Sequence, residues 1–127
     1  MTSIEFNIRK LKKYTYRISN TKSIKCSALK PKTLPPKKGI YMFLDKNKKI
    51  FYVGSCGVEG KGGGTLRSRV YSNHIRGNVN SSSFMKRVGK NYIRKNLNLK
   101  YIEIEDKELI NNIGHFMIAI FEPKYND

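Results

Sequence analysis

Two short apolar runs separated by a polar turn stand out near the middle of the chain. In GIYMFL (39–44) aliphatic side chains alternate with aromatic ones, DKNKK (45–49) is polar, and IFYVG (50–54) is a second apolar run closed by glycine. Period-two alternation on both sides of a polar turn predicts a β-hairpin. Its tyrosines, Tyr41 and Tyr52, lie on adjacent strands and can face the same way.

Three later segments have helical spacing and one alternates again. Helices are predicted over 66–76, with Thr65 as the N-cap, over 84–96 and over 106–121, and a strand over 99–105. The predicted fold is therefore α/β, with a small central antiparallel sheet, the hairpin plus a third strand, flanked by helices. The positions expected to face the core in the first and last helices are Leu66, Val70, Ile75, Leu109, Ile110, Ile113, Phe116, Met117 and Ile120.

The first third of the chain is harder to interpret. Residues 1–30 alternate only loosely, which allows one or two strands or a short helix. The prolines in KPKTLPPKK (30–38) predict an extended connector. The length of 127 residues suits one compact domain. We expect a basic N-terminal extension and connector over 1–38 and the main domain over 39–127.

Charge is distributed unevenly. The chain has 26 basic and 9 acidic residues, a formal net charge of +17, and residues 101–127 hold six of the acids but only two of the bases. A positive charge of this size favours a polyanionic partner, with nucleic acid first and an anionic membrane surface second. A lysine-rich genome alone would not leave the final segment acidic. No window approaches the roughly 18 apolar residues of a membrane span, so we expect no membrane protein.

Cysteine usage indicates the compartment. Cys26 and Cys56 lie 30 residues apart without a CxxC pair, and the chain has only two histidines, which does not suit a structural zinc site. We expect free thiols and a cytoplasmic protein.

Four motifs occur in a fixed order from the hairpin to the end of the chain. They are Gly39-Ile40-Tyr41, Tyr52-Val53-Gly54, the run Leu66-Arg67-Ser68-Arg69 followed by His74, and Pro123-Lys124-Tyr125-Asn126. This ordered set resembles the GIY-YIG endonuclease superfamily, in particular its small stand-alone nucleases. The resemblance implies a DNA endonuclease, a hydrolase that cuts phosphodiester bonds with one divalent metal, Mg²⁺ or Mn²⁺ as cofactor.

The resemblance also implies roles for particular residues. One hairpin tyrosine, Tyr41 or Tyr52, would be the general base, and the resemblance does not choose between them. Arg69 would clamp the phosphate, since a guanidinium binds phosphate through two parallel hydrogen bonds, and Arg67 is its rival. The family's histidine usually follows the arginine by four residues, whereas His74 follows Arg69 by five. A regular helix would place Arg67, Tyr71 and His74 on one face and Arg69, Asn73 and Arg76 on another.

The metal position departs from the family. The resemblance places a metal-binding glutamate twelve residues before the closing Asn126, and Gly114 stands there. Glu108 lies six residues away on the same helix, too far along and around the axis to replace it. Either Gly114 replaces a glutamate in a disabled variant, or the chain is a natural relative that binds without cutting, or packing requires a small residue. Glycine's cost of about 1 kcal/mol inside a helix favours the first. The chain is therefore expected to cut little or not at all.

Basic side chains outside the motifs, together with Asn126 of the last motif, are the expected contacts to the nucleic-acid backbone. Substrate, DNA specificity and oligomeric state stay open, and the DNA recognised could be structured or branched. The alternative function is a non-catalytic DNA- or RNA-binding module that uses the same basic face. The expected nucleic-acid-binding residues are Lys61, Arg76, Lys86, Arg87, Lys90, Arg94 and Asn126.

Overall fold

The fold is α/β, as predicted, in a computed structural model that describes residues 3–57, 64–75 and 83–126. Lys61 and Arg76, two of the expected nucleic-acid contacts, lie outside these residues. The elements are α1 (Ser3–Ser19), β1 (Ile24–Lys25), a short 3₁₀ turn (Cys26–Ala28), β2 (Gly39–Leu44), β3 (Ile50–Cys56), a π-helix (Arg67–Ile75), α2 (Ser83–Val88), α3 (Lys90–Asn96), β4 (Asn98–Glu103) and α4 (Lys107–Phe121).

The predicted hairpin forms the centre of an antiparallel sheet. The strand order is β1-β4-β2-β3, so β2 pairs with both β3 and β4, and all six of its residues are buried. The hairpin turn is closed by Asp45, whose carboxylate accepts hydrogen bonds from the backbone N–H groups of Asn47 and Lys49, each at 2.9 Å. This order leaves β3 at one edge of the sheet.

The N-terminal segment supplies a long helix and a fourth strand. Leu11, Tyr14, Thr15 and Ile18 follow helical spacing, and all four are at least partly buried on one side of α1. β1 then pairs with β4 at the other sheet edge. The expectation of three strands was therefore short by one, because a two-residue strand carries too little alternation to be recognised.

The sheet has a hydrophobic cluster on each face. Alternate residues of β2 point to opposite faces of the sheet. Tyr41 and Phe43 pack with the π-helix, α2 and α3, whereas Ile40 and Met42 pack with α1 and α4. Residues before position 38 enter both clusters, since Ile18 belongs to the second and Cys26 and Leu34 to the first.

The helices after the hairpin differ in part from the prediction. The helix expected over 84–96 is interrupted at Gly89, whose φ of +81° is a backbone conformation that favours glycine. The last helix is N-capped by Asp106, and Ile110, Ile113 and Met117 are buried as expected. Ile120 is instead 58% exposed, because those three residues already fill the stripe that faces the sheet.

Both cysteines are buried free thiols, as predicted. Burial raises the pKa of Cys26 to about 12 and that of Cys56 to about 11, since a buried thiolate loses its hydration. Among the described residues, no helix combines the length and the apolar composition needed to cross a membrane.

Candidate active site

The two hairpin tyrosines lie side by side on one face of the sheet. Tyr52 pairs with Phe43, two residues from Tyr41, so the alternation of the strands directs both rings to the same side, and their centroids are 6.3 Å apart. Tyr41 is completely buried, whereas Tyr52 is partly exposed and stacks on Phe84 at 4.6 Å.

Gly54 makes room for the Tyr41 ring. It pairs with Tyr41 across the hairpin, and a Cβ atom at position 54 would overlap both the ring and the hydroxyl of that tyrosine. The second glycine of the paired motifs is therefore a packing requirement of the first tyrosine.

Arg69 and His74 both reach Tyr41 because the helix that carries them is a π-helix. His74 Nε2 and the Tyr41 hydroxyl oxygen share a buried hydrogen bond of 2.9 Å, and the Arg69 side chain also hydrogen-bonds Tyr41. A π-helix joins residues five apart, as an α-helix joins residues four apart. The five-residue spacing is thus the one that brings these two side chains together.

The predicted division of this helix into faces was wrong for the same reason. It assumed 3.6 residues per turn, which separates Arg69 from His74. Arg67 instead turns towards the connector, where its Nε donates to the carbonyl oxygen of Leu34 at 2.9 Å. Leu66, Val70 and Ile75 are buried as predicted, and the Thr65 hydroxyl accepts from the backbone N–H of Ser68 at 3.2 Å, as an N-cap does.

Burial controls the protonation of Tyr41 and His74. It raises the pKa of the Tyr41 phenol far above its usual value, and the neighbouring Tyr52 raises it further, whereas the charge and hydrogen bond of Arg69 lower it. Burial, with the positive charge of Arg69, lowers the pKa of His74 to about 3, so the imidazole is neutral. The Arg69 Nε atom is also buried, and it has no hydrogen-bond partner among the described residues.

A cleft of about 170 Å³ opens at the β3 edge, beside the side chains of Tyr41, Tyr52, Arg69 and His74. Tyr52 and Arg69 line it, whereas Tyr41 and His74 lie behind them and do not. The opposite wall belongs to α4. The polar residues that line the cleft are Tyr52, Ser55, Arg69, Asn111, His115 and Asn126.

Gly114 is on the α4 wall of the cleft. An added Cβ atom would lie 3.9 Å from the side chain of Ser55, an ordinary van der Waals distance, so a Cβ atom at this position meets no clash. The packing explanation for glycine is therefore not supported by contacts at its Cβ position.

The residues present do not fit a Mg²⁺ or Mn²⁺ site. These ions take oxygen ligands, above all carboxylates, and among the residues that the structure describes no aspartate or glutamate lines the cleft. Nor do the described parts of the chain hold any group of three histidine, cysteine or acidic side chains that could bind a metal. The polar lining consists of a cation, hydroxyls, amides and an imidazole, which suits an anion better than a cation.

Asn126 holds the C-terminal tail against the β3 edge. Its side-chain oxygen accepts from the N–H of Val53, and its side-chain nitrogen donates to the carbonyl of Val53, both at 2.8 Å. The backbone N–H groups of Lys124 and Tyr125 donate to the carbonyl oxygens of Ile50 and Phe51, respectively. Sequence reasoning expected Asn126 to contact nucleic acid, whereas in the structure its amide pairs with the strand.

The basic residues expected at a nucleic-acid surface are exposed on the two short helices. Lys86 and Arg87 belong to α2, and Lys90 and Arg94 to α3. Sequence reasoning missed Asn111 as a cleft residue and treated His115 as a packing or surface residue. Their spacing of four on α4, around the Gly114 position, is the signal that could have indicated both.

No family model matches this chain, and no curated protein matches it significantly. The likeness to the GIY-YIG superfamily therefore depends on the four sequence motifs alone. The α/β fold and the geometry of the cleft stand independently of it.

Proposed function

We propose that the cleft is the phosphodiester-binding site of a DNA endonuclease of the GIY-YIG type, in which the metal-binding carboxylate is missing at Gly114. The chain would bind DNA and cut it poorly or not at all. The observation that carries this proposal is the convergence of Tyr41, Tyr52, Arg69 and His74, distant in the sequence, beside a cleft that Gly114 also lines.

Arg69 is the phosphate-binding residue in this proposal. Its guanidinium is held by Tyr41, and its unpartnered Nε lies in a side chain that lines the cleft. A phosphate oxygen would supply the missing acceptor, and charge-assisted bonds of this kind are about twice as strong as neutral ones. The chain's charge of +17 would attract the polyanion from a distance.

The part of the β3 edge beyond the C-terminal tail adds a second source of hydrogen-bond donors for a phosphate. The Asn126 amide pairs with the outward N–H and carbonyl of Val53. Ser55, two residues further along the strand, shares that outward orientation by the alternation of antiparallel pairing. Ser55 lines the same cleft as Arg69 and His115, and its outward N–H is therefore the further donor that we assign to a bound phosphate.

Tyr52 and Tyr41 have different roles in this proposal. Tyr52 lines the cleft and Tyr41 does not, so Tyr52 is the tyrosine that would meet a water or phosphate there. Tyr41 is enclosed, and its hydrogen bonds to His74 and Arg69 fix the guanidinium in position. We therefore assign Tyr52 as the base candidate and Tyr41 as a positioning residue.

A non-catalytic nucleic-acid-binding module is the second candidate. It is favoured by the absence of carboxylates among the described residues that line the cleft, and by the enclosure of Tyr41. Both functions require Arg69 and the positive charge, so salt-dependent binding does not separate them.

The substitution Gly114→Glu separates the two functions. Position 114 lines the cleft and accepts a Cβ atom without a clash, so we expect the variant to nick supercoiled plasmid in Mg²⁺ or Mn²⁺ at a rate at least about tenfold above that of the unsubstituted chain, a barrier change of about 1.4 kcal/mol. Gly114→Gln is the matched control, with nearly the same shape and no charge, and should stay inactive.

Two arginine variants test the site within the Gly114→Glu background. Arg69→Ala should abolish nicking, whereas Arg67→Ala should keep it, because Arg67 is directed at the Leu34 carbonyl. If the folded Gly114→Glu protein binds DNA but cuts no faster than Gly114→Gln, the endonuclease proposal fails and the binding module stands.

A further inference from the structure

A second concave surface lies at the far end of the hairpin from the cleft. This groove has a volume of about 380 Å³ and lies between the hairpin turn, α3 and the β1 region. It shares no lining residue with the candidate active site. Its volume is in the range of sites that hold a small organic group such as a nucleotide.

The groove is strongly cationic. Four basic side chains line it: Lys25, Lys46, Arg94 and Lys95. Asp45 is the one acidic side chain among the described residues that line the groove, and its carboxylate already accepts two backbone hydrogen bonds within the hairpin turn. An anionic ligand is therefore the complementary one.

An aromatic ring forms part of the same surface. Tyr92 lines the groove and is 45% exposed, while its ring stacks on Phe51 with centroids 6.1 Å apart and an angle of 18° between the planes. Phe51 thus supports one face of the ring and leaves exposed area for a ligand. An aromatic face among cations is the arrangement that binds single-stranded nucleic acid, since bases stack on the ring and phosphates pair with the cations.

A row of aromatic rings links the groove to the cleft. From Tyr52 the row passes through Phe84, Tyr125 and Phe51 to Tyr92, with neighbouring centroids 4.6, 6.2, 5.5 and 6.1 Å apart. Four steps of at most 6.2 Å place the end rings within about 25 Å of each other. At about 3.4 Å per nucleotide along one strand, that is a span of at most about seven nucleotides.

We propose that the groove binds an unpaired nucleotide of a strand whose phosphate occupies the cleft, with the base on Tyr92 and the backbone on Lys25, Lys46, Arg94 and Lys95. The proposal relies on the proposed function for the nature of the partner, a nucleic acid. It adds a preference for single-stranded over fully paired segments.

The experiment measures binding of fluorescein-labelled dT12, rU12 and a blunt 12-base-pair duplex without metal, by anisotropy at one fixed salt concentration. Tyr92→Ala should weaken dT12 binding about 5- to 150-fold, the range for loss of one stacked base, and change duplex binding less than twofold. Tyr92→Phe keeps the ring and should bind within twofold of the natural chain. Comparison of dT12 with rU12 distinguishes DNA from RNA as the source of the strand.

Tyr16→Ala is the matched control, because Tyr16 is a tyrosine on α1 that is 64% exposed and does not line the groove. It should leave all affinities unchanged. The proposal is overturned if Tyr92→Ala binds dT12 like the natural chain, if Tyr92→Phe loses as much as Tyr92→Ala, or if single strand and duplex weaken equally. Cutting by Gly114→Glu is scored separately, so either proposal can fail while the other stands.

Discussion

The Tyr41–His74 pair predicts a loss of stability in mild acid. The pKa of His74 falls from 6.5 to about 3 on folding, so below pH 6.5 the unfolded chain binds a proton that the folded chain refuses. Its contribution to stability is complete above pH 6.5 and is lost as the pH falls towards 3, at about 1.4 kcal/mol per pH unit. Between pH 7 and pH 5 the loss is about 2 kcal/mol, against a total stability of roughly 5–15 kcal/mol.

Urea unfolding followed by circular dichroism at pH 7 and pH 5 measures this loss. With a slope of about 1–3 kcal/mol per molar urea, the midpoint should fall by about 1 M. The matched variant is His74→Gln, whose amide can still hydrogen-bond Tyr41 but does not titrate, so most of the pH dependence should disappear. His115→Gln removes the exposed histidine and should retain it. The reasoning is refuted if the natural chain and His74→Gln lose the same stability between the two pH values.

Two further predictions concern residues that shape the cleft. Gly54→Ala forces the enclosed Tyr41 ring to move and should lower the free energy of unfolding by about 1–3 kcal/mol, whereas the neighbouring Ser55→Ala should cost much less; equal urea midpoints for the two variants would contradict this. Asn126→Ala removes two hydrogen bonds to Val53 and should cost about 1–3 kcal/mol, with faster amide hydrogen exchange at Val53; unchanged protection of that amide would show that the tail does not depend on this side chain.

Much of the fold follows from local patterns. The alternation in residues 39–54 and the stripe of Ile110, Ile113 and Met117 predict the hairpin and α4 because each element buries one face against the sheet. α1 was left open between a short helix and one or two strands, because its apolar positions are dispersed among lysines and arginines. The two-residue β1 is defined only by its pairing with β4, which local sequence does not contain.

The candidate site was predicted less completely. The motifs marked four residues that the structure brings to one cleft or directly behind it: Tyr41, Tyr52, Arg69 and Gly114. The enclosure of Tyr41 depends on packing from the π-helix and α2, and no motif encodes that. The π-helix itself differs from an α-helix only in hydrogen-bond register, and apolar spacing in nine residues does not distinguish the two.

That register has a consequence for the comparison of sequences. A π-helix is what an α-helix becomes when it gains one residue while its ends stay anchored, here by Leu66 at the start and Ile75 at the finish, both buried. An α-helix in which the histidine follows the arginine by four residues could gain one residue in this way, to the spacing of five seen here, while both buried ends keep their places. A sequence alignment without a gap would place His74 one position after the histidine of a chain with the shorter spacing. Superposition of the tyrosine hydroxyls would instead match the two histidines.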